Sequence, residues 1–444
     1  MIEFKRSYFL KKKPRQVYIL LFSGIAIGGL TGLVGSIFQL AIACVENFRN
    51  YLLTFSIHNE VWQWVVPIVF TLTCLFFSLF LVRCFAPEAS GSGIQEIEGT
   101  LKGKRVTKWQ RILPIKFFGG VFSLSAGMVA GREGPTIQMG GAIGKMLSKK
   151  FGIASEFSHT FIAAGAAAGL SVAFNAPLAG ILFIIEEMRP CFKYSFMSMQ
   201  CVILASLVSD IVLRMIMGQH PDIPMTTFIT PSVASLWIFV IFGCIFGVMG
   251  VIFNKYLLKT LDYFTYKKPK TYWMNIVLIG ICVGILTKVY PEVIGGGYLI
   301  ISQALKMQLP VMTLLSIFFI RMVTTWICYG TGIPGGIFAP VLALGTIFGM
   351  WFGYYVHYFF PDLVCHPGIF AVAGMSALFT ATVGAPLTGI VLVAEMTLNY
   401  ELLLPLILTC FSATIISYLL GNNPIYESLL IRALRIAEEK TNNN

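Results

Sequence analysis

Ala164-Gly-Ala-Ala-Ala-Gly-Leu-Ser-Val-Ala-Phe-Asn-Ala-Pro-Leu-Ala-Gly-Ile181 aligns without gaps on Ala373-Gly-Met-Ser-Ala-Leu-Phe-Thr-Ala-Thr-Val-Gly-Ala-Pro-Leu-Thr-Gly-Ile390. Ala-Pro-Leu-x-Gly-Ile recurs at Ala176 and Ala385, and in the same register Glu186 falls on Glu395. Upstream of each copy lies another Gly/Pro-broken element, Gly131-Arg-Glu-Gly-Pro135 in one half and Gly335-Gly-Ile-Phe-Ala-Pro340 in the other. Broken apolar segments at matching places in two halves are the pattern of a membrane transporter, whose site lies where the repeats meet. The match leaves the relative orientation of the halves open.

Composition places the chain in a bilayer. Of 444 residues, 57% are hydrophobic and 12% charged, against about 25% charged in a soluble domain. Too few charges remain to coat a globule of this size, so apolar surface must face lipid. The runs Val17–Val45, Val61–Val82, Met197–Met217, Val233–Phe253, Trp273–Tyr290, Val311–Tyr329 and Leu402–Leu420 reach the roughly 20 residues that span a membrane. Four further runs, Ile115–Ala130, Phe161–Ile185, Ile337–Val356 and Ile369–Met396, carry internal Gly and Pro and read as broken. Backbone breaks within a membrane only where it is buried in protein or lines a water-filled cavity.

The net charge of +12 sits in loop clusters at Lys5–Arg15, Lys102–Arg111, Lys145–Lys150, Lys255–Lys270 and Arg432–Lys440. Cations in such loops mark the cytoplasmic side, which puts both termini inside with an even number of crossings, and they are no signature of a nucleic-acid partner. The first apolar run is too long for a signal peptide and reads as a retained helix. Ten scattered Cys without a C-x-x-C support neither a disulfide framework nor a metal site. No H-E-x-x-H, G-x-S-x-G or P-loop occurs, so the reading is of a protein that is no enzyme and needs no cofactor.

Three glycine-bounded segments precede helical stretches: Gly91-Ser-Gly-Ile-Gln95, Gly131–Pro135 and Gly335–Pro340. A helix start exposes unpaired N–H groups and the positive end of the dipole. Several such ends converging would bind an anion without a full positive charge. The same glycines also suit close helix packing, and the sequence does not separate the two uses. Glu133, between Gly131 and Pro135, falls at a helix start, where a carboxylate competes with a dissolved anion for the same N–H groups. Protonation would release it, making one residue both gate and proton carrier. Glu186 and Glu187 close the first repeat copy, and intramembrane carboxylates usually lie on ion or proton routes. Glu186, matched by Glu395, reads as architectural; Glu187, matched by Met396, is unique to one half and is the better functional candidate.

Together these segments resemble the CLC chloride channel and transporter family, from about Phe22 to about Arg435, through its signatures GSGIP, GREGP and GGxFxP in order. Phe174–Pro190 is similar to the bacterial proton/chloride antiporter branch. The resemblance implies an all-α polytopic membrane fold of two inverted halves with broken, tilted helices, assembled as a homodimer with one pathway per subunit. It implies hydroxyls from Ser92 and Tyr426 on the central chloride, with the backbone amides of Ile337 and Phe338 completing that site. It makes Glu133 the outer gating glutamate and Glu187 the internal proton-transfer glutamate. Ser92 fits chloride selectivity, and a carboxylate at 187 favours exchange of chloride for protons over the alternative, a passive voltage- or pH-gated channel of the same fold. A bacterial inner membrane follows as the location. One domain covers residues 1–444, with halves at 16–220 and 221–430 and a short cytoplasmic tail at 431–444 that leaves no room for a regulatory domain. The family's first signature ends in Pro, and Gln95 stands there instead, restoring an N–H and loosening the turn.

Overall fold

The computed structural model describes residues 14–57, 59–152, 155–188, 195–225, 227–364 and 366–442. The cations Lys5–Lys13, together with Arg189, Cys191 and Cys365, lie outside the described residues. Eight helices make the first half: α1 (Pro14–Ser56), α2 (Trp62–Phe85), α3 (Ile94–Leu101), α4 (Trp109–Ser125), α5 (Glu133–Lys150), α6 (Ser155–Phe174), α7 (Pro177–Glu186) and α8 (Phe196–Met217). Eight more repeat the order: α9 (Leu236–Thr265), α10 (Pro269–Val289), α11 (Tyr298–Leu305), α12 (Val311–Gly330), α13 (Phe338–Phe359), α14 (Gly368–Val383), α15 (Pro386–Thr397) and α16 (Leu403–Leu419). A last helix, α17 (Ile425–Asn442), follows.

Nine helices among the described residues are long and apolar enough to cross a membrane. Because α7, α14 and α15 are shorter apolar helices, counting long helices does not count crossings. Burial separates the nine into two kinds. In seven spans only 33–44% of the apolar window is covered by protein, while α6 reaches 89% and α13 72%. The seven leave most of their apolar surface uncovered by the chain itself; α6 and α13 are wrapped by the rest of it.

The breaks have local causes. After α6, Asn175 takes a left-handed φ of 52°, and at the same repeat position after α14 Gly384 takes 85°; glycine, and less often Asn, tolerate that region. Ala176 and Ala385 are then extended (φ −136° and −119°) before Pro177 and Pro386 open the next helices at their first positions, where the missing N–H costs nothing. The broken reading of Ile337–Val356 is corrected: α13 is continuous from Phe338 to Phe359. Pro340 sits in its first turn, where no intrahelical donor is needed. Its glycines serve packing instead. A Cβ on Gly345 would overlap the Gly374 carbonyl of α14, and one on Gly349 the Phe370 carbonyl. In the first half Gly140 and Gly165 abut in the same way across α5 and α6.

Contacts between the halves decide their orientation. Glu186, at the end of α7, accepts hydrogen bonds from the Leu387 and Thr388 amides (2.9 and 2.6 Å) and the Thr388 hydroxyl (2.6 Å) at the start of α15. Glu395, near the end of α15, accepts from the Leu178 and Ala179 amides (3.1 and 2.8 Å) at the start of α7. Each half caps the other's helix, so α7 and α15 run antiparallel. Gly131 and Gly336, equivalent positions before α5 and α13, pair with each other in an antiparallel bridge. The halves are therefore inverted. Two fully buried cations echo this symmetry. Lys116 of α4 donates to the Ala89 and Gly91 carbonyls (2.9 and 2.6 Å) ahead of α3. Arg321 of α12 donates to the Val293 and Gly295 carbonyls (both 2.8 Å) ahead of α11.

Candidate functional site

The three glycine segments meet as backbone. Gly91 N–H donates to the Ile333 carbonyl (3.0 Å), and Gly335 N–H returns a bond to Gly91 (3.1 Å). Gly131 and Gly336 exchange bonds of 2.9 and 2.7 Å. The starts of α3, α5 and α13 are thereby tied to one place, with Lys116 holding the Gly91 carbonyl from outside it. At the start of α3, Gly93 has φ +83°, a left-handed turn that suits glycine. A Cβ on Gly134 would lie 2.6 Å from the Ser92 hydroxyl, so the first turn of α5 rests directly on Ser92. The looser turn expected from Gln95 is not observed: the Gly93 carbonyl accepts from Glu96 and Ile97 (3.1 and 3.2 Å), and α3 starts normally.

Glu133, Ser92, Tyr426 and Phe338 are all fully buried at this junction. One Glu133 carboxylate oxygen accepts from the Phe338 amide (2.7 Å) and the Ala339 amide (3.2 Å) at the start of α13. Its other oxygen is buried without a protein partner. The hydroxyls of Ser92 and Tyr426 are likewise buried and interact with each other, with no further protein partner among the described residues. Buried polar atoms are normally satisfied, and these three oxygens gather acceptor and hydroxyl groups at the buried centre of the junction. Tyr426 is held there by ring contact with Phe338 (5.6 Å between centroids). Phe338 in turn packs on Phe174, Phe183 and Phe379. A cavity of about 270 Å³ lined by Gly91, Gln95, Tyr329, Arg105 and Arg432 reaches the junction from the side of the basic loops.

Glu187 is not part of this junction. It ends α7 and faces Glu98, Glu427, Glu186 and Lys102. Lys102 bonds Glu98 at 2.5 Å. Tyr426 lies within electrostatic reach of both Glu133 and Glu187.

The family model described as voltage gated chloride channel matches residues 74–418. The chain belongs to the CLC family. It is 45% identical to the H(+)/Cl(-) exchange transporter ClcA of Vibrio parahaemolyticus over 97% of this chain and 92% of that one. The protein of the same name from Vibrio cholerae is 46% identical over 95% and 91%. Among solved structures, a slow cyanobacterial Cl-/H+ antiporter superposes with TM-score 0.92 at 41% identity, covering 96% of this chain and 99% of that chain. A eukaryotic CLC transporter shares the fold with TM-score 0.79 at 20% identity.

Sequence reasoning on this CLC chain missed several members of the junction. Lys116 was findable, as a lone cation inside the apolar run Pro114–Ser125, where a charge needs a dedicated partner. Tyr329, whose buried hydroxyl accepts from the Ser92 amide (3.2 Å), carried no local signal. Neither did the Ala339 amide, the second donor to Glu133.

Proposed function

We propose that this chain is a secondary active antiporter exchanging chloride for protons across the membrane. The observation that carries the reading is the Glu133 carboxylate, fully buried on the Phe338 and Ala339 amides. It occupies donors that a dissolved anion would use, at the positive end of α13. Ionised, the carboxylate makes charge-assisted bonds and excludes chloride. Protonated, it loses the charge that holds it, and chloride takes the amides. One group then couples the two ions because it binds either the proton or the helix end. Ser92, Tyr426 and the amides of Ile337 and Phe338 are the proposed chloride ligands, and Glu187 the proposed proton relay on the inner side. The names of the ClcA relatives support this reading, and transport alone accounts for the site without enzymatic chemistry.

The protein works in this reading as a homodimer in a bacterial inner membrane, with both termini cytoplasmic. One domain holds the two halves at 16–220 and 221–430, and residues 431–444 form the inner tail. Reversal potentials of reconstituted protein under opposing chloride and pH gradients test exchange: a potential that moves with both gradients is expected, and one set by chloride alone would establish a passive channel instead. Ser92 has its own test. Ser92→Pro removes the hydroxyl that a strongly hydrated small anion needs in exchange for its water, and also the N–H that donates to Tyr329, so coupled transport should shift in preference from chloride toward nitrate. An unchanged nitrate-to-chloride ratio would remove Ser92 from the anion site.

A further inference from the structure

Residues 218–225, in the connection between the halves, are fastened near the start of α7 and the end of α15, away from Glu187 at the other end of α7. Ile223 N–H donates to the Met396 carbonyl near the end of α15 (3.1 Å), and Asn175, at the break between α6 and α7, donates to the His220 carbonyl (3.0 Å). This fastening delivers Asp222 to Arg132, the residue immediately before Glu133. The Arg132 guanidinium donates to Asp222 at 2.7 Å and to the Ala173 carbonyl at 3.0 Å, and it lies 4.6 Å over the ring of Tyr298. Tyr298 itself faces Arg132, Asp222 and Glu133. One Asp222 oxygen and the Asn175 side-chain oxygen are buried without a partner among the described residues.

We infer that Asp222 is a built-in competitor of chloride at Arg132, and that it sets the affinity of the outer face for the anion. The inference rests on the exchange reading above and adds to it a residue that acts through Arg132. Two of the three contacts on the guanidinium, the Ala173 carbonyl and the Tyr298 ring, do not involve Asp222. The cation therefore stays in place when the carboxylate is neutralised, and the donor that had pointed at Asp222 becomes available. The pair is mostly shielded, with side-chain exposures of 21% and 16%, so the charge it cancels is not already screened by water and salt. A positive charge uncovered in a narrow mouth concentrates anions there. Arg132 lies within electrostatic reach of Glu133, so chloride arriving to replace that carboxylate meets its field.

The test compares the full chain with its Asp222→Asn variant in right-side-out and inside-out membrane vesicles, measuring the chloride concentration that gives half-maximal exchange on each face. For Asp222→Asn the outer value is expected to fall on the order of tenfold while the inner value stays at that of the wild type. Asp222→Glu, which keeps the charge, should retain the wild-type outer value, and Asp222→Ser should repeat the shift if the Asn protein fails to insert. In an Arg132→Gln background the Asp222→Asn shift should vanish, because the two act as one unit. Exchange with an unchanged outer value in the neutral variants would overturn the inference and leave the exchange reading standing. An equal change on both faces would also overturn it, as the mark of a general structural role. Absence of proton coupling in the wild type would instead reject the exchange reading itself.

Discussion

Glu133→Gln abolishes proton-driven chloride exchange while chloride still crosses the protein. Gln has nearly the size of the protonated side chain, and its carbonyl can still meet the Phe338 and Ala339 amides that hold the carboxylate at 2.7 and 3.2 Å. What it lacks is the charge that roughly doubles the strength of such bonds and the proton that must be traded. Chloride therefore displaces it at any pH, and nothing links that displacement to a proton. Proton flux should fall at least about 100-fold, the scale on which positioned acid–base groups act, and residual chloride flux should lose its dependence on pH. The competing idea is that Glu133 is only a favourable charge at a helix end, worth about 0.3–1 kcal/mol of stability. That idea predicts a slightly less stable protein that still exchanges. Uphill proton movement by Glu133→Gln under a chloride gradient would settle the matter against the gate.

Glu187→Gln should separate the two substrates. Glu187 stands apart from the junction, at the end of α7, among Glu98, Glu427, Glu186 and Lys102. It is not among the proposed chloride ligands, so chloride flux should stay within about a factor of two, the scale of a substitution away from packed machinery. Proton flux should be lost, because a side chain that cannot titrate cannot pass protons from the inner side toward Glu133. Tyr426 lies within electrostatic reach of both carboxylates. The measurement pairs chloride efflux from liposomes with a pH electrode. Proton flux that survives in proportion to chloride would move the relay elsewhere. Loss of both fluxes would show instead that Glu187 serves the fold. Glu186 makes a useful comparison: its carboxylate caps α15 across the repeat interface, so Glu186→Gln weakens the union of the halves and should depress both fluxes together.

Residues that act through their own local backbone were legible from sequence alone. Composition required lipid around the chain, and the uninterrupted apolar runs became α1, α2, α8, α9, α10, α12 and α16. Ala-Pro-Leu predicted the restarts at α7 and α15 because a proline's missing N–H and fixed φ act within one turn. Glu133 could be placed at a helix start for the same reason, by the glycine and proline on either side of it. Glycine was ambiguous. In Gly93 it serves a left-handed turn and in Gly345 a close approach to the carbonyl of Gly374, and no neighbouring residue distinguishes the two.

Only the tertiary structure decided what each helix end would meet. The inversion of the halves rests on Glu186 reaching Leu387 and Thr388, and Glu395 reaching Leu178 and Ala179. The bonds of the Glu133 carboxylate to the start of α13 also depend on how α5 and α13 pack. Lys116, Arg321 and Tyr329 likewise take their meaning from backbone carbonyls or amides far from them in the chain. The physical reason is the same in each case. A helix start advertises unpaired donors in its own sequence, but the acceptor that satisfies them is chosen by how the helices pack. That choice places an electrostatic partner across a distance over which local propensity carries no information.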